Sequence, residues 1–309
     1  MAKHRVELPA GRSTRVDRLL AASLPGISRR HLRRLLAEGD VRVDGRRARK
    51  GDMLSGARSV EIEVPDATAP EPAPEPEPAI PVLFVDPTCV ALDKPGGRPG
   101  HALRPGERGT VAGFLAARFP ECLAAGDTPL EAGLVHRLDT DTSGVLLAAR
   151  DRTTWRRLRN QFRAGQIAKQ YFALVGGSVR MPGEVRRAIE PHPRSRRKVR
   201  VLAEGEASHR ARAAVTAYRP RAVSSRATLL EVKIATGVMH QIRAHLAAIG
   251  HPVLGDVLYG GDPVPEGRHL LHAARLAFDH PRSGERVEVR SRLPADFETA
   301  LRRLGLEPP

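Results

Sequence analysis

Apolar positions at helical spacing dominate the first part of the chain. Residues 15–20 predict a short helix, and the apolar positions within 29–38 fall on one face of a second helix. Ser28 is the expected N-cap of that second helix, and Gly39 ends it. Its inner face consists of Leu32, Leu35 and Leu36. Two helices therefore open the chain, and the second carries arginines on its outer face.

Short strands and tight turns follow these helices. Residues 41–43 and 60–64 predict strands rich in valine and isoleucine. The Asp-Gly dipeptide at 44–45 is typical of a two-residue hairpin turn, and Gly-Asp at 51–52 marks another turn. The first 64 residues are therefore expected to form a small α/β domain.

Hydrophobic periodicity is absent from residues 65–81, PDATAPEPAPEPEPAIP, where proline alternates with acidic residues and alanine. Such a composition cannot form a core or a helix, so this segment is expected to be an extended, semi-rigid spacer. The chain is therefore predicted to have three parts, a small basic domain at 1–64, a linker at 65–81 and a larger body at 82–309.

The body alternates strands and helices without a regular strand–helix–strand order. Residues 82–85, 89–92, 171–175 and 230–234 predict strands, and the last of these alternates apolar with polar positions. Residues 151–164 predict an amphipathic helix. This order favours an α+β fold around a largely antiparallel mixed sheet.

The charge balance points to a polyanionic partner. The chain has 51 lysines and arginines against 35 aspartates and glutamates, a net charge of +16. Such a field attracts polyanions, so nucleic acid is the favoured partner and a membrane surface the weaker alternative. No apolar run approaches the ~18 residues of a membrane span, and the N-terminus lacks a secretory signal. A soluble, cytoplasmic protein is therefore expected.

The two cysteines carry little chemistry. Cys89 and Cys122 are too few for a disulfide framework or a four-ligand zinc site, and both lie among apolar neighbours. We expect buried free thiols. The sequence also lacks a metal-spaced His/Cys cluster and a glycine-rich phosphate loop, so neither a metal nor a cofactor is predicted.

A polar loop lies between two apolar stretches at 133–144, GLVHRLDTDTSG. Packing does not explain its charges, because buried charges are costly unless they are paired. Loops on a rigid scaffold are where binding and catalysis concentrate. Asp139 is therefore a candidate catalytic carboxylate, although an aspartate in such a loop can also cap the amides of a turn. His136, taken alone, is more typical of a structural hydrogen bond than of a base.

A second candidate lies on a helix that begins near 239 and ends at Gly250. His240 and Arg243 are three residues apart, so they emerge together near the start of this helix. A carboxylate that stays ionised in a closed pocket needs a cationic partner, which a fixed guanidinium supplies. We predict an ion pair between Arg243 and Asp139. The alternative is an ordinary surface arginine.

A third candidate is Tyr171, which stands at the entry to a predicted strand in the sequence AKQY. A tyrosine in this position can lay its ring against an extruded base while its hydroxyl stays polar. Taken alone, the same pattern fits a tyrosine in the core of a sheet equally well.

An arginine-rich helix leads into a tight hairpin in the stretch SRRHLRRLLAEGDVRVDGRRARKGDML. This stretch resembles the S4 RNA-binding domain. On charge alone the helix could be an ordinary solvated face, but basic residues on both the helix and the hairpin favour RNA binding. The expected RNA-binding residues are Arg29, Arg30, Arg33, Arg34, Arg46 and Arg47.

Five motifs occur in order along the body over roughly residues 82–290. They are ALDKPGG, HRLDTDTSG, Lys169-x-Tyr171, HQIRAHLAAIGHPVLGD and LHAARLAFDHP. Together they resemble the RluA-type family of pseudouridine synthases, whose members that act on ribosomal RNA usually carry an S4-like head. The resemblance implies an enzyme that isomerises uridines in structured RNA, without a metal or a cofactor.

The resemblance also implies roles for matching positions. Asp139 falls on the family's catalytic aspartate, Arg137 on a residue associated with displacing the target base, and Tyr171 on the ring that packs against the uracil. Arg243 matches the arginine that pairs with the aspartate. Further substrate or pocket contacts are implied at Lys94, His136 and Lys169.

One position pair departs from the family. Val238-Met239 stands where the family usually has arginine followed by threonine or serine before His-Gln. The loss of a cation and a hydroxyl affects the expected phosphate contacts more than the chemistry. Two routes stay open for Asp139, which could attack C1′ of the target nucleotide or remove its 2′ proton to give a glycal.

Other functions fit parts of these patterns. A catalytically silent RNA-binding or ribosome-assembly protein would share the charge and the S4-like head, but it would not need Asp139 beside Arg137. A His/Asp hydrolase would need a nucleophile elbow or metal ligands, which the sequence lacks. Large-subunit ribosomal RNA is the expected substrate, transfer RNA is the alternative, and a monomer is assumed.

Overall fold

The computed structural model describes residues 2–8, 11, 13–24, 29–56, 58–64 and 71–309, without the side chains of residues 2, 3, 29–31, 34, 63 and 64. The chain divides into two compact units, Met1–Glu71 and Pro72–Pro309. None of the helices among the described residues has the length and apolarity of a membrane span.

The helices of the described residues are α1 (Val16–Ser23), α2 (Arg29–Glu38), α3 (Val111–Arg118), α4 (Cys122–Ala125), α5 (Arg152–Arg163), α6 (Gln241–Ala248) and α7 (Ala295–Arg303). The strands of the first unit are β1 (Ala2–Leu8), β2 (Ser13–Arg15), β3 (Val41–Val43), β4 (Arg46–Arg47), β5 (Met53–Ser55) and β6 (Arg58–Val64). The strands of the second unit are β7 (Val82–Val85), β8 (Cys89–Lys94), β9 (Ser143–Ala149), β10 (Ala168–Gly176), β11 (Gly183–Arg186), β12 (Ile189–Pro191), β13 (Val199–Val201), β14 (Val215–Val223), β15 (Ala227–Ile234), β16 (Leu271–Asp279) and β17 (Arg286–Arg290).

In the first unit, four of the described strands form an antiparallel sheet in the order β1-β6-β3-β4, and β2 pairs antiparallel with β5. The leucine face of α2 is buried with apolar residues of α1 in one cluster, as the pattern predicts. Asp44 and Gly45 have φ of 47° and 81°, the left-handed conformations that a two-residue hairpin turn requires. Strand β1 is not predicted, because its mostly polar sequence becomes a strand only by pairing with β6. The expected N-cap Ser28 lies outside the described residues.

The second unit is built on a mixed sheet whose described strands follow the order β11-β14-β15-β10-β16-β9-β8-β7, with β17 paired to β16. All neighbouring strands in it are antiparallel except β9 and β16, which run parallel. This confirms the predicted α+β class with a largely antiparallel sheet. Strand β15 lies inside the sheet, so its first six residues are buried on both faces in spite of the alternating sequence.

Helix α5 covers one edge of the core and confirms the predicted amphipathic helix. Asp151 caps its start by accepting a hydrogen bond from Thr154 N at 2.9 Å. Trp155 and Leu158 are buried in the apolar cluster that contains residues of β8, β9 and β16. Arg156 and Arg163 are exposed on the other face. Arg159 differs from the prediction, because its Nη1 donates to the Val135 carbonyl at 3.1 Å and its guanidinium lies over the Trp155 ring.

The parallel contact of β9 with β16 fixes the end of the polar loop 133–144. Gly144 has φ of 110°, and a Cβ atom there would lie 2.2 Å from the Ala273 carbonyl oxygen, so only glycine permits this approach. Thr142 Oγ1 lies 2.8 Å from His269 Nε2, just before β16. The loop is thereby held against the start of β16.

Segment 65–81 is not a spacer along its whole length. Its second half, residues 72–81, packs along α3 of the second unit. Glu75 N donates to the carbonyl of Gly113 in α3 at 2.9 Å, and Arg98 Nη1 donates to the Pro78 carbonyl at 2.8 Å. Ile80 is buried in the apolar cluster around α3. The second unit therefore begins before residue 82, because apolar and hydrogen-bonding partners on α3 hold a stretch whose composition alone predicts an exposed linker.

Candidate active site

The polar loop before β9 presents Asp139 to helix α6. Asp139 Oδ2 accepts a hydrogen bond from Arg243 Nη1 at 2.8 Å, so the predicted ion pair forms. The aspartate side chain is 26% exposed and the arginine side chain 7%. The guanidinium is therefore part of the protein interior, while the carboxylate remains accessible to a ligand.

A second carboxylate holds Arg243 from its other side. Arg243 Nε and Nη2 donate to the two oxygens of Asp256 at 2.6 and 2.8 Å. Such a forked contact fixes the plane of the guanidinium, which leaves Nη1 aimed at Asp139. Asp256 is buried and is missing from the predicted site. Its one signal in the sequence is its place at the end of the HPVLGD motif.

Charge pairing keeps Asp139 ionised in spite of its burial. Burial alone favours the protonated acid, but the charges of His240 and Arg243 outweigh it and hold the pKa of Asp139 below its usual value. Burial also disfavours the charged form of Arg243, yet Asp256 and Asp139 raise the pKa of Arg243 above its usual value. At neutral pH the pair is therefore a carboxylate and a guanidinium.

His240 precedes α6 in a left-handed conformation with φ of 54°, so the helix starts at Gln241 and not at 239. Its Nδ1 lies 3.0 Å from the Tyr259 hydroxyl, and its Nε2 lies 3.8 Å from Asp139 Oδ1. The Tyr259 ring also lies against Arg243, with 5.3 Å between the guanidinium carbon and the ring centroid. Tyr259, which no sequence pattern singles out, therefore joins the ion pair to His240.

Tyr171 lies in β10, opposite Val232 of β15. Its side chain is 8% exposed and packs in the apolar cluster that contains Ile242 of α6. Burial, with a contribution from the negative charge of Asp139, raises the pKa of the Tyr171 hydroxyl. The hydroxyl therefore stays protonated, and the residue is a core tyrosine within electrostatic range of the carboxylate.

Lys94 is fully buried, which is rare for a lysine. Its Nζ donates to the carbonyls of Pro95, Arg98 and Thr140 at 2.8, 2.7 and 2.7 Å. Burial lowers the pKa of Lys94 to about 7. Because the main chain takes all of its donors, Lys94 supports the loop that carries Asp139 and is not free to contact RNA, which corrects the substrate contact expected for it.

His136 and Lys169 also make protein contacts in place of the expected substrate contacts. His136 Nε2 accepts a hydrogen bond from Leu147 N at 3.0 Å, and its ring stacks on Phe162. Burial lowers the pKa of His136 to about 3, so the imidazole is neutral. Lys169 Nζ donates to the Thr236 carbonyl at 3.0 Å and lies over the same Phe162 ring. Both side chains are therefore structural in this conformation.

Arg137 differs from Asp139 in the same loop because its side chain is exposed. Within the described part of the chain, no hydrogen bond or ion pair holds its guanidinium. With burial, its charge lowers the pKa of His101, so the two side chains lie near each other. Arg137 is therefore available to a ligand that approaches Asp139.

Comparison with known proteins identifies the family. The chain is 37% identical over 302 residues to an uncharacterized RNA pseudouridine synthase of Chloroflexus aurantiacus, which covers 96% of this chain and 92% of the relative. It is 36% identical over 306 residues to the ribosomal large subunit pseudouridine synthase D of Xanthomonas campestris pv. campestris, with 94% and 88% covered. The family model described as RNA pseudouridylate synthase matches residues 89–248. The chain belongs to the RluA-type family of RNA pseudouridine synthases.

A solved structure agrees with this assignment. The human RNA pseudouridylate synthase domain containing 4 aligns with the synthase at a TM-score of 0.59 and 26% identity, over 74% of this chain and 94% of that chain. The S4 domain model matches residues 14–57 of the first unit. The synthase is therefore an isomerase that acts on RNA and carries an S4 domain.

The synthase holds its polar loop with a second buried cation. Arg268 Nη1 donates to the Asp141 carbonyl at 2.9 Å, and its Nε and Nη2 bind the carboxylate of Asp296 in α7 at 2.6 and 2.9 Å. A Cβ atom at Gly96 would lie 2.5 Å from the Arg268 side chain, which explains the glycine after Lys-Pro. Lys94 and Arg268 together bind two successive carbonyls next to Asp139. Sequence patterns do not predict Arg268.

The S4 domain presents only part of the predicted RNA-binding set. Arg33 and Arg46 have exposed side chains. Arg47 is exposed too, but its Nη2 donates to the Ala37 carbonyl at 2.7 Å near the end of α2. The predicted residues whose side chains lie outside the described residues are Arg29, Arg30 and Arg34. RNA binding by these arginines stays a prediction.

One group of side chains in the described ranges of the synthase could hold a metal ion. Asp86, Cys89 and His280 offer ligand atoms within 4.8 Å of one another. Asp86 already accepts hydrogen bonds from Thr88 N and Cys89 N at 2.7 and 2.8 Å. Burial raises the pKa of the Cys89 thiol to about 12, which disfavours the thiolate that a metal needs. We interpret the group as hydrogen bonding that stabilises the β7–β8 turn. Both cysteines are free and buried, as predicted.

Proposed function

We propose that Asp139 is the catalytic carboxylate of this synthase. The observation that carries the proposal is its ion pair with Arg243, which gives an ionised and accessible carboxylate a single orientation. A catalytic group must be held in the productive geometry before substrate arrives. The double contact of Arg243 with Asp256 supports such preorganisation, because it fixes the guanidinium independently of the substrate.

The isomerisation of uridine to pseudouridine needs the carboxylate either as a nucleophile or as a base. Isomerisation breaks the N1–C1′ bond, turns the uracil and forms a bond between C5 and C1′. Asp139 can attack C1′ and release the uracil with the bonding electrons, or it can take the 2′ proton to leave a glycal. In the first route C5 displaces the carboxylate from C1′. In the second route C5 joins C1′ while Asp139 returns the proton to C2′. In both routes the proton lost from C5 is balanced by one gained at N1. No electron is gained or lost overall.

We assign the remaining contacts by exposure and chemistry. Arg137 is exposed and unpaired in the described residues, so it is suited to occupy the space of an extruded nucleotide, where a planar guanidinium can stack on the neighbouring bases. Extrusion costs a few kcal/mol, least at loops and bulges. Tyr171 is 8% exposed and lies within electrostatic range of Asp139, so we assign the small accessible part of its ring to the wall against which the released uracil turns.

We further propose that the substrate is large-subunit ribosomal RNA, with transfer RNA as the alternative. The support is that the Xanthomonas relative is a ribosomal large subunit pseudouridine synthase, and that the S4 domain model matches the first unit. In this proposal the first unit binds RNA and the second unit catalyses. Such a substrate would place the enzyme in the cytoplasm.

The test uses unmodified transcripts of large-subunit ribosomal RNA and of transfer RNAs, with pseudouridine mapped by carbodiimide modification and reverse transcription. Wild-type protein is expected to modify specific uridines of the ribosomal transcript, whereas Asp139→Asn binds it with unchanged affinity and modifies none. Asp141→Asn is the matched control, because Asp141 lies in the same loop but is 45% exposed. It is expected to retain activity.

Each outcome decides a separate part of the proposal. Activity in Asp139→Asn would remove the carboxylate from the mechanism. Modification of the transfer RNA transcripts alone would overturn the substrate assignment and keep the chemistry. Wild-type protein that binds both transcripts and modifies neither would leave a silent RNA-binding protein.

A further inference from the structure

A two-stranded ribbon with a basic tip lies next to the candidate active site, and nothing in the mechanism uses it. Strands β12 and β13 pair antiparallel, and His192 N donates to the Lys198 carbonyl at 3.1 Å to close the turn between them. We call residues 189–201 the basic hairpin and residues 192–198 its tip. The cations of the tip are Arg194, Arg196, Arg197 and Lys198. The three arginines are exposed and the lysine is half-buried.

Nearby acidic residues do not neutralise the tip. Glu190 and Glu206 lie close in sequence, but Arg200 at the base of the hairpin binds both of them, at 2.7 and 2.6 Å. Ser208 Oγ donates a hydrogen bond to the second carboxylate oxygen of Glu190 at 2.5 Å. Within the described ranges, none of the tip cations forms an ion pair. The tip therefore presents positive charge to solvent, while the base of the hairpin is neutralised.

The hairpin is attached to the catalytic machinery. Val199, the residue after the tip, is buried against Ala244 of α6 in an apolar cluster that Val238 also contacts. Val199 N donates to the Tyr259 hydroxyl at 2.9 Å, the same hydroxyl that lies 3.0 Å from His240 Nδ1. The Tyr259 side chain thus links the backbone of Val199, next to the tip, to His240, which lies beside Asp139.

This arrangement does not suit charges that serve solubility alone. Such charges need no fixed position, whereas β13, which directly follows the tip, packs against the helix that carries Arg243. Four cations on a seven-residue turn repel one another, and a polyanion relieves that repulsion. Val238, which stands just before α6, makes only apolar contacts at the base of the hairpin and supplies no cation there. Cationic contacts near this helix are therefore available from the tip and not from position 238.

We propose that the tip of the basic hairpin binds backbone phosphates of the RNA strand that flanks the target uridine. The proposal rests on the proposed function, because it takes Asp139 as the place where the uridine is held. Phosphates next to an extruded nucleotide lie within reach of a turn anchored beside the carboxylate. Contacts of this kind orient the strand and carry no base specificity. The tip is therefore a substrate-positioning surface and not part of the chemistry.

The test measures how binding depends on salt. The triple variant Arg194→Gln, Arg196→Gln, Arg197→Gln removes three cations without creating an apolar surface. Log affinity falls linearly with log salt concentration, and each phosphate contact adds about 0.7 to 0.9 to the steepness of that line. Loss of three contacts should therefore make the slope about 2 to 3 units less negative. It is measured by filter binding of unmodified large-subunit ribosomal RNA transcript between about 50 and 200 mM KCl. At about 0.15 M salt KM should rise on the order of tenfold, with kcat unchanged.

Two further variants separate local contacts from net charge. The control Arg226→Gln, Arg282→Gln, Arg302→Gln removes the same charge from exposed arginines in the β14–β15 turn, the β16–β17 turn and the end of α7. It is expected to change the slope by less than about one unit. The triple variant Arg194→Lys, Arg196→Lys, Arg197→Lys keeps the charge and should have the wild-type slope.

The outcomes separate this proposal from the assignment of the catalytic site. An unchanged slope and KM in the tip variant would overturn the phosphate contacts, and so would an equal loss in the control variant. A fall in kcat with an unchanged slope would show that the tip acts on the chemistry and would also overturn them. If wild-type protein binds the transcript without modifying it, the proposed function fails, while the salt slopes still decide whether the tip binds RNA.

Discussion

The ion pair at Asp139 and the tip of the basic hairpin are both charged, and the Tyr259 hydroxyl lies between them, but the two regions are built in opposite ways. Two of the cations that hold Asp139 and its loop are buried and bonded to the protein: Arg243 binds two carboxylates and Lys94 binds three carbonyls. The tip cations are largely exposed and have no acidic partner in the described residues. One set of charges is directed at the protein and the other at solvent.

The difference in burial between these two sets of charges determines what each region can do. A charge removed from water must be paired, and pairing fixes its position to within the length of a hydrogen bond. Such charges can hold a reacting group but cannot follow a flexible ligand. Exposed cations keep their hydration and their freedom, and they act through a field that salt screens. Substitutions should therefore have large, salt-independent effects near Asp139 and small, salt-dependent effects at the tip.

The largest effect is expected from Arg243→Gln. Asp139 and Asp256 lose their common partner, so activity should fall on the order of 10²-fold or more and the free energy of unfolding by about 3 kcal/mol. Burial then acts unopposed by the guanidinium, and the pKa of Asp139 rises. A raised pKa means that the residual activity is lost at a higher pH as the solution is acidified. The pH profile of kcat/KM measures the shift.

The control for this prediction is Arg290→Gln, which breaks an ion pair whose arginine is 76% exposed. Its free energy of unfolding, and the acidic side of its pH profile of kcat/KM, should stay close to those of the wild type. An acid limb that is the same in Arg243→Gln and in the wild type would contradict the link between Arg243 and the ionisation of Asp139.

A smaller effect is expected from Lys94→Met, which leaves the three carbonyls without a donor. The free energy of unfolding should fall by about 1–3 kcal/mol, and kcat should fall more than KM changes, because the loop loses a support. The pKa of Lys94 is about 7 in the folded protein and about 10.4 when unfolded. Between these values the unfolded state binds more protons, so this group adds stability as pH rises.

Chemical denaturation at several pH values measures this linkage. The difference in free energy of unfolding between wild type and Lys94→Met should widen from pH ~7 to pH ~9, by at most about 1.4 kcal/mol per pH unit. A difference that stays constant or narrows over this range would show that the burial of Lys94 does not depress its pKa.

Tyr259→Phe tests the boundary between the two regions. The change removes one hydroxyl, which contacts both Val199 N and His240 Nδ1, and leaves the ring against Arg243. We expect the free energy of unfolding to fall by about 1 kcal/mol and kcat/KM to fall about tenfold. Part of that fall should come from a lower kcat and part from a higher KM. An effect on kcat alone would mean that the hairpin does not depend on this hydroxyl for its position.

The smallest effect is expected from one tip residue. Arg197→Gln should raise KM by no more than about threefold at moderate salt, and the difference from the wild type should vanish as salt is increased. Paired measurements of KM at low and high KCl check this. A loss that persists at high salt would place Arg197 among the fixed charges and would remove the contrast between the two regions.

Local patterns in the sequence were sufficient for most of the elements. Helix α5 follows from apolar residues at helical spacing, and the β3–β4 turn follows from Asp-Gly at 44–45, because spacing and turn preference act over a few residues. The conformation of segment 72–81 could not be predicted in this way. Its proline-rich composition is that of a linker, and only its partners on α3 place it in the second unit.

The candidate site also contains residues that the sequence predicts and residues that only the structure reveals. The residue types and motif order of the chain determined the family, the acidic loop residue Asp139 and its cationic partner Arg243, which lies 104 residues further along. The tertiary structure decided which residues support them. Lys94 and His136 are directed inward, while Asp256, Tyr259 and Arg268 enter the site from segments that show no periodic signal. The physical reason is that a motif specifies which groups are present, whereas burial and pairing energies depend on neighbours that only the folded chain brings together.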